Sequence, residues 1–326
     1  MKLFAFKFFG ICIIIYVIVS TVPNMFFQGY AASESDTHKT GTPDFNFVVA
    51  GDFSCNKEAK KTVNNMATKK PEIILTVGDH SYRKSADCWF DTVSPLDTEG
   101  KLKIAFGEHD IDDNLTKYKT YLRHFNLTDP YYSFDYQNVH FLAMATAKNM
   151  VIPYMNNSAQ YDFVKNDLKS AHENKNINWI VVLSYRPLYS SISIHSGKAE
   201  LQDLYHPLFD KYGVDLVLQG HNHNYQRTYP LGYNIADSHS PIILDKKTSI
   251  YKSELNGPIF VTVGTAGEIL HDFINQQPFV KTQFLRHGFL NLDVTNYGSN
   301  MTGTFYDNNG LINEDQFTIL KKDKIS

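Results

Sequence analysis

The chain has 326 residues, of which 43% are hydrophobic, with 31 Lys or Arg and 34 Asp or Glu. This length and apolar content are enough for a substantial core in one large or two ordinary domains. A net charge of −3 lacks the basic excess that is typical of nucleic-acid-binding proteins, so we expect no nucleic-acid partner.

Residues 1–32 have the pattern of a secretory signal peptide. Lys2 and Lys7 precede an apolar run at 8–22, Pro23 ends that run, and small residues close to residue 31 offer a cleavage site. An uncleaved anchor is the alternative, and only an anchor would make the membrane a partner of this chain. In both cases we expect the remainder to be secreted or otherwise extracytoplasmic.

Cys55 and Cys88 are the only cysteines outside this segment, because Cys12 lies within it. An even pair is compatible with an oxidising compartment, and a disulfide could join the two. In the chain-entropy model, a bridge that closes a loop of this size contributes ~3–4 kcal/mol.

After a polar linker at 33–43, apolar strands and helical segments alternate, which predicts an α/β fold with strands covered on both faces. The predicted strands are 45–50, 73–77, 102–106, 179–183, 214–218 and 259–263, with paired strands in 131–145 and an antiparallel closing sheet in 288–317. The predicted helices are 57–69, 116–125, 161–171 and 201–209, and 231–257 is predicted to be a long loop.

The strand predicted at 214–218 leads into the sequence Gly220-His221-Asn222-His223. Two histidines spaced i, i+2 at a strand end can turn both imidazoles toward one point, and that point is commonly a metal ion. Gly220 suits a backbone that passes close to another group without a Cβ in the way. Ordinary surface or core histidines are the alternative for this motif alone.

Acidic residues at three other strand ends strengthen the metal hypothesis. Asp52 follows the first predicted strand, Asp79 follows the second, and Glu108 with His109 follows the third. Carboxylates and histidines gathered from several strand ends are what a hydrolytic site with two metal ions requires.

These motifs stand in a recognisable order: Asp52, then Gly-Asp-x-x-Tyr at 78–82, Gly-Glu-His-Asp at 107–110 and Gly-His-x-His at 220–223. In this order the chain resembles the calcineurin-like metallophosphoesterases. Tyr82, Tyr225 and Arg227 point to the purple acid phosphatases within them. The resemblance covers about the whole chain after the N-terminal segment, and is to the small, single-domain, tartrate-resistant type.

The resemblance implies an α/β fold built as a layered α/β/β/α sandwich, in which two packed mixed sheets are flanked by helices. A metallophosphoesterase domain would then span 44–320, followed by a polar tail at 321–326. The oligomeric state stays open.

The resemblance also implies two metal ions and their ligands. Asp52, Tyr82 and His223 would hold the first ion, Asp79 would bridge both ions, and His221 would bind the second. A tyrosine phenolate is a hard anionic donor that favours Fe(III), so we expect Fe(III) at the first site and Fe, Mn, Zn or Mg at the second.

Two residues are implied to act in catalysis. His109 resembles the family's general acid or phosphate-orienting histidine, and His195 resembles a second histidine near the leaving group. The implied reaction is hydrolysis of a small phosphate monoester by in-line attack of a metal-bound hydroxide, so that no serine or cysteine nucleophile is needed.

Two positions depart from the family pattern, and both concern the second metal. The family has Asn where this chain has Glu108, and His where it has Tyr185. An oxygen-rich site shifts metal preference from zinc toward Mn²⁺, Mg²⁺, Ca²⁺ or iron, and extra negative charge repels an incoming phosphate. Tyr185 could instead point away and leave the second metal underligated.

Three functions therefore remain in competition. The first is an exported, acid-phosphatase-like phosphomonoesterase with two metal ions. The second is a non-catalytic or impaired descendant that binds metal or phosphate, because Glu108 and Tyr185 alter the second site. The third is a phosphodiesterase or nucleotidase on the same scaffold.

Overall fold

The computed structural model describes residues 42–321, except residues 99, 248, 256, 310 and 311. The predicted signal peptide, nearly all of the predicted linker and most of the polar tail lie outside the described residues. Within these bounds, no helix has the length and apolar character needed to span a bilayer.

The strands are, in chain order, Phe45–Ala50 (β1), Ile73–Val77 (β2), Leu102–Ala105 (β3), Tyr132–Tyr136 (β4), Val139–Met144 (β5), Trp179–Ser184 (β6), Leu216–Gln219 (β7), Tyr225–Thr228 (β8), Leu231–Gly232 (β9), Ile242–Ile243 (β10), Ile250–Lys252 (β11), Ile259–Val263 (β12), Val280–Phe284 (β13), Gly288–Thr295 (β14), Asn300–Asp307 (β15) and Ile312–Leu320 (β16). The α-helices are Lys57–Thr68 (α1), Asp87–Val93 (α2), Thr116–His124 (α3), Ala159–Glu173 (α4) and Ala199–Tyr212 (α5). Single 3₁₀ turns cover Glu108–Asp110 and Ser253–Leu255.

Most strands belong to two mixed sheets. In the described chain the first has seven strands in the order β11-β16-β15-β14-β1-β2-β3, and the second has seven in the order β13-β8-β12-β7-β6-β5-β4. Strands β1, β2 and β3 run parallel at one end of the first sheet, and β5, β6, β7 and β12 run parallel in the middle of the second. The carboxyl ends of these parallel strands carry the residues of the candidate site.

The two sheets pack face to face, with helices on their outer faces. In β1, Phe47 and Val49 belong to the core between the sheets, whereas Val48 and Ala50 pack in a second cluster with residues of α1 and α2. The rings of Phe47 and Phe141 meet edge to face across the sheets, with centroids 5.2 Å apart. A third cluster joins α4 and α5 to the second sheet. The α/β/β/α sandwich is thereby confirmed.

The structure differs from the predicted secondary structure in two segments. Helix α2 falls in a segment for which no element was predicted, because its seven residues are too few to show a helical period. The segment 231–257 is not one long loop, since β9, β10, β11 and a 3₁₀ turn lie within it. These strands have only two or three residues each, so alternation of polar and apolar side chains cannot reveal them.

A disulfide joins Cys55, in the loop after β1, to Cys88 in α2, with their Cα atoms 5.9 Å apart. The bridge ties α2 to the loop that carries Asp52. The predicted use of these two cysteines in a disulfide is confirmed.

His140 lies between two carboxylates and links β5 to β4 and α4. Its Nδ1 is 2.6 Å from Asp135 Oδ1, its Nε2 is 2.8 Å from Asp167 Oδ2, and Ser133 Oγ also donates to Asp167. Burial by itself lowers the pKa of His140, but the hydrogen bonds and charges of Asp167 and Asp135 raise it by more. The net pKa of His140 is therefore raised, and the protonated ring stabilises the fold.

We expect His140→Gln to lower the free energy of unfolding by about 2 kcal/mol at pH 5.5, the scale of a hydrogen bond to a charged group. Because the folded pKa of His140 lies above the unfolded value, its contribution is complete below about pH 6.5 and is lost as pH rises through the folded pKa. Urea unfolding at pH 5.5 and pH 9 measures this. An equal loss at both pH values would contradict the role of the charged ring.

Candidate metal centre

The candidate site lies at the carboxyl ends of strands from both sheets. Asp52 follows β1, Asp79 follows β2, and His221 follows β7. All three have left-handed backbone conformations, with φ of 59°, 53° and 68°. Such conformations are uncommon for residues other than glycine and tend to cluster at functional sites.

Four side chains converge on one point, as predicted for the first metal. Tyr82 Oη lies 3.3 Å from Asp52 Oδ1, 3.2 Å from Asp79 Oδ2 and 3.0 Å from His223 Nε2. Asp52, Asp79 and His223 form the only set of three His, Cys, Asp or Glu residues in the described chain whose donor atoms all lie within 4.8 Å of one another.

The electrostatics of this set favour a cation. Burial, and then the neighbouring Asp52 and Asp110 carboxylates, raise the pKa of Asp79 well above its usual range. Burial lowers the pKa of His223, but Asp52 raises it by more. His223 Nδ1 lies 2.8 Å from Ile269 O and donates to it, which leaves Nε2 facing the carboxylate oxygens. Carboxylate, phenol and imidazole donors gathered at one point fit a metal ion.

A second group of donors adjoins the first through Asp79. Tyr185 Oη donates to Asp79 Oδ2 over 2.6 Å and lies 2.6 Å from His221 Nδ1. The phenol therefore points into the site, and the alternative in which it points away is wrong. Burial, with the charges of His195 and Lys198, lowers the pKa of His221 to about 2, so its imidazole is neutral and able to bind a metal.

Glu108 lies beside the site, but it is not part of the close donor set. Its Oε1 accepts a hydrogen bond from the backbone N–H of Lys148 over 3.2 Å, and its backbone carbonyl accepts one from Asn149 Nδ2. A metal-binding role for Glu108 stays a prediction.

Asp110 holds the two acidic loops together, a function that the motif order did not reveal. Its carboxylate accepts backbone N–H groups of Asp79, His80 and Gly107, at 3.0, 2.8 and 2.8 Å. Its Oδ2 is also 2.8 Å from His80 Nδ1. The only signal in the sequence was its position directly after His109.

Glycines allow these loops to approach one another. A Cβ on Gly220 would lie 2.3 Å from Val77 O, which confirms the close approach predicted for this residue. A Cβ on Gly78 or Gly107 would lie 2.4 or 2.8 Å from the ring of Tyr185. A Cβ on Gly107 would lie even closer to Asp79, 2.2 Å from its Oδ1, so a side chain at either glycine would disturb the donor set.

Each aromatic ring of the Tyr82, His221 and His223 donors is covered by another histidine. His109 lies over Tyr82, His195 stacks on His221 and His271 stacks on His223, with centroid distances of 4.3, 3.6 and 3.8 Å. We call these three covering histidines, His109, His195 and His271, the outer histidines.

The outer histidines are at least partly exposed, and each has a lowered pKa mainly because of burial. The pKa of His271 falls to about 4, with the charges of His223 and His195 adding to the effect of burial. His109 and His195 thus lie over the candidate donors Tyr82 and His221, and their role in catalysis stays a prediction. His271 was not predicted, since no motif marks it.

The calcineurin-like phosphoesterase family model matches residues 35–225, more than half of the chain. The chain belongs to the calcineurin-like phosphoesterase family. The matched range includes the candidate metal donors Asp52, Asp79, Tyr82, His221 and His223.

Curated relatives of this phosphoesterase-family chain are named purple acid phosphatases. Purple acid phosphatase 21 of Arabidopsis thaliana is 28% identical over 68% of this chain and 49% of its own length. Probable inactive purple acid phosphatase 1 of Arabidopsis thaliana is 25% identical over 86% of this chain and 48% of its own length. The chain spans about half the length of the curated relatives that it matches.

Solved structures confirm the fold of this phosphoesterase-family chain. Purple acid phosphatase PPD1 from yellow lupin (Lupinus luteus) superposes with a TM-score of 0.72 at 22% identity, covering 87% of this chain and 55% of that one. GAP50, described as the anchor in the inner membrane complex of Plasmodium, gives a TM-score of 0.64 at 15% identity, covering 87% and 91%.

Proposed function

We propose that this chain hydrolyses small phosphate monoesters with two metal ions held at the site described above. The convergence of Asp52, Asp79, Tyr82 and His223 on one point carries the proposal, because three of these donors are buried and all four offer oxygen or nitrogen atoms that bind metal ions. Family membership supports phosphoester hydrolysis as the general reaction.

The donors divide into two groups that share Asp79. Asp52, Tyr82 and His223 would hold the first ion, for which we propose Fe(III), Tyr185 and His221 would hold the second, and Asp79 would serve both. Such ions lower the pKa of water and neutralise phosphate oxygens when they are bound. The identity of the second ion stays open among Fe, Mn, Zn and Mg.

His109 and His195 are the proposed contacts to the ester. Burial lowers the pKa of both, so each is neutral near pH 7 and can donate one ring N–H to a phosphate oxygen. Transfer of a proton to the leaving oxygen requires the imidazolium form, whose population rises as pH falls. This supports an activity that increases toward acid.

A single assay series tests the function. The protein is assayed with p-nitrophenyl phosphate and with bis-p-nitrophenyl phosphate under added Fe, Mn, Zn and Mg, alongside elemental analysis and a visible spectrum. Faster turnover of the monoester, with two metal ions per chain, supports the proposal. Faster turnover of the bis-ester would support the phosphodiesterase alternative instead.

A non-catalytic protein that binds metal or phosphate is the second candidate. The Tyr185 hydroxyl favours it, because this hydroxyl lies 2.6 Å from both Asp79 Oδ2 and His221 Nδ1 and places a phenol where the family pattern has a neutral imidazole. The names of two similar proteins, a probable inactive purple acid phosphatase and an anchor protein, agree with such a loss. Metal binding without turnover in every assay would support this candidate.

We expect the double variant Glu108→Asn/Tyr185→His to raise second-metal affinity and monoesterase activity by about 10- to 100-fold, the scale on which residues around a metal alter its binding. The physical reason is that a nitrogen donor replaces a buried phenol and one negative charge beside the phosphate is removed. Metal per chain and kcat/KM measure the effect, with each single variant as a control. Unchanged or lower activity, in a variant that folds and keeps its metal, would contradict the prediction.

We also propose that the protein works outside the cytoplasm. The Cys55–Cys88 disulfide supports this location, because disulfides persist in oxidising compartments. Fractionation of the native cells, with N-terminal sequencing of the mature protein, tests both export and cleavage. Recovery of full-length protein with free thiols from the cytoplasm would overturn the proposal.

A further inference from the structure

His271 is fixed beside the metal-binding motif by contacts to its backbone and to its ring. Its N–H donates to His223 O over 2.9 Å, and its carbonyl accepts from Asn224 Nδ2 over 3.2 Å. Its ring lies 3.8 Å from that of His223, nearly parallel to it, and 5.6 Å from that of His195. The segment after β12 therefore brings a third imidazole to the entrance of the site.

The hydrogen bonds of His271 define which ring nitrogen carries its proton. Nδ1 lies 3.3 Å from the backbone N of His223 and accepts its N–H, so Nδ1 has no proton in the neutral ring. The proton of a neutral histidine is then on Nε2, which becomes a donor. No hydrogen bond of Nε2 to another described residue is present, and the side chain is partly exposed.

The other two outer histidines occupy equivalent positions over their own donors. His109 covers Tyr82 and His195 covers His221, and both lie close to the ligand atoms of the two donor groups. Metal ions at the two donor groups would neutralise phosphate oxygens. Phosphate oxygens that no metal ion contacts would still need hydrogen-bond donors, and the outer histidines lie over the rings of the candidate metal donors.

We propose that His271 is a further substrate-contacting residue, which donates its Nε2–H to an oxygen of the bound phosphate ester. The inference rests on the proposed function and deepens it, because it adds a third imidazole to the phosphate-binding group. A role confined to orienting His223 through Nδ1 is the competing explanation.

Two amide substitutions separate these explanations. The carbonyl of Asn lies close to the position of His Nδ1, so His271→Asn keeps an acceptor for the His223 N–H and loses the outer donor. The amide of Gln reaches the position of His Nε2, so His271→Gln keeps the outer donor and loses the acceptor. Affinity for inorganic phosphate is measured by calorimetry on metal-loaded protein, together with metal per chain, kcat and KM for p-nitrophenyl phosphate.

We expect His271→Asn to weaken phosphate binding by roughly 10- to 100-fold and to raise KM similarly, as for loss of a hydrogen bond to a charged group. His271→Gln should bind phosphate within about threefold of the wild type, by the same reasoning, and both variants should keep wild-type metal content. The reverse ranking, or a loss of metal in either variant, would show that His271 only positions His223 and would overturn the inference.

These measurements also distinguish a failure of this inference from a failure of the proposed function. If the wild type binds phosphate and both variants bind it equally well, the inference alone fails. If the wild type neither binds phosphate nor turns over any ester with any metal, the proposed function fails together with the inference.

Discussion

Asp79→Asn is expected to reduce monoesterase turnover by at least about 100-fold and to lower metal retention, since even residues that only support a ligand change affinity by 10- to 100-fold. Asp79 Oδ2 is the atom shared by the two donor groups, at 3.2 Å from Tyr82 Oη and 2.6 Å from Tyr185 Oη. One substitution therefore weakens both proposed metal sites. Elemental analysis and kcat/KM measure the two effects.

The same substitution should stabilise the metal-free protein. Burial, Asp52 and Asp110 raise the pKa of Asp79 in the folded state. An acid with a raised folded pKa costs stability as pH rises above its unfolded value near 4, so the carboxylate destabilises the metal-free fold at neutral pH. We expect a higher melting temperature for Asp79→Asn than for the wild type in a chelating buffer at pH 7.

Adding metal should reverse the order of the two melting temperatures, so that the wild type becomes the more stable protein. At a free metal concentration 100 times Kd, binding stabilises the wild type by about 2.7 kcal/mol, or roughly 4–5 °C for a chain of this size. Asp79→Asn should show little of that increase, whereas the exposed Asp91→Asn control should behave as the wild type in both buffers. Wild-type metal content in Asp79→Asn would contradict the shared role of this carboxylate.

Arg227→Met should lower the free energy of unfolding by about 3–5 kcal/mol, because it leaves a buried carboxylate without its partner. Arg227 in β8 pairs with Asp315 in β16, with Nε to Oδ2 at 2.6 Å and Nη2 to Oδ1 at 2.8 Å. Tyr225 Oη also donates to Asp315, and Arg227 donates to Tyr251 Oη. Burial lowers the pKa of Arg227, but Asp315 raises it by more.

The pair joins the two sheets behind the His221-x-His223 motif, so we expect its loss to destabilise the whole domain. Chemical denaturation measures the loss. Arg227→Met/Asp315→Leu should recover at least half of it, since buried pairs replaced by apolar side chains are often nearly neutral. Arg286 and Glu314 form an exposed pair at 3.1 Å, and Arg286→Met should cost less than about 1 kcal/mol. Equal losses in Arg227→Met and Arg286→Met would contradict the prediction.

The sequence predicted this part of the structure only in outline. Tyr225 and Arg227 were recognised as a family feature, but the partner Asp315 lies 88 residues away and nothing near it marks the pairing. Hydrophobic periodicity shows which face of a strand is buried, but not which distant strand supplies a buried counter-charge. The same reason applies to Asp110, whose contacts to Asp79 and His80 cross between two loops.

The amino-acid sequence by itself determined the order of the longer strands and helices and the positions of Asp52, Asp79, Tyr82 and the His221-x-His223 motif. These features are local, because a strand period and the turn that follows it are encoded within a few residues. The close packing of loops around Gly220 was predictable for the same reason.

Only the tertiary structure decided which way Tyr185 points, where the Glu108 carboxylate is engaged and that His271 stacks on His223. Each depends on contacts between segments far apart in the chain, such as the 48 residues between the backbone of His223 and the ring of His271. Side-chain direction at a loop is set by the packing of the two sheets, which the local sequence does not encode.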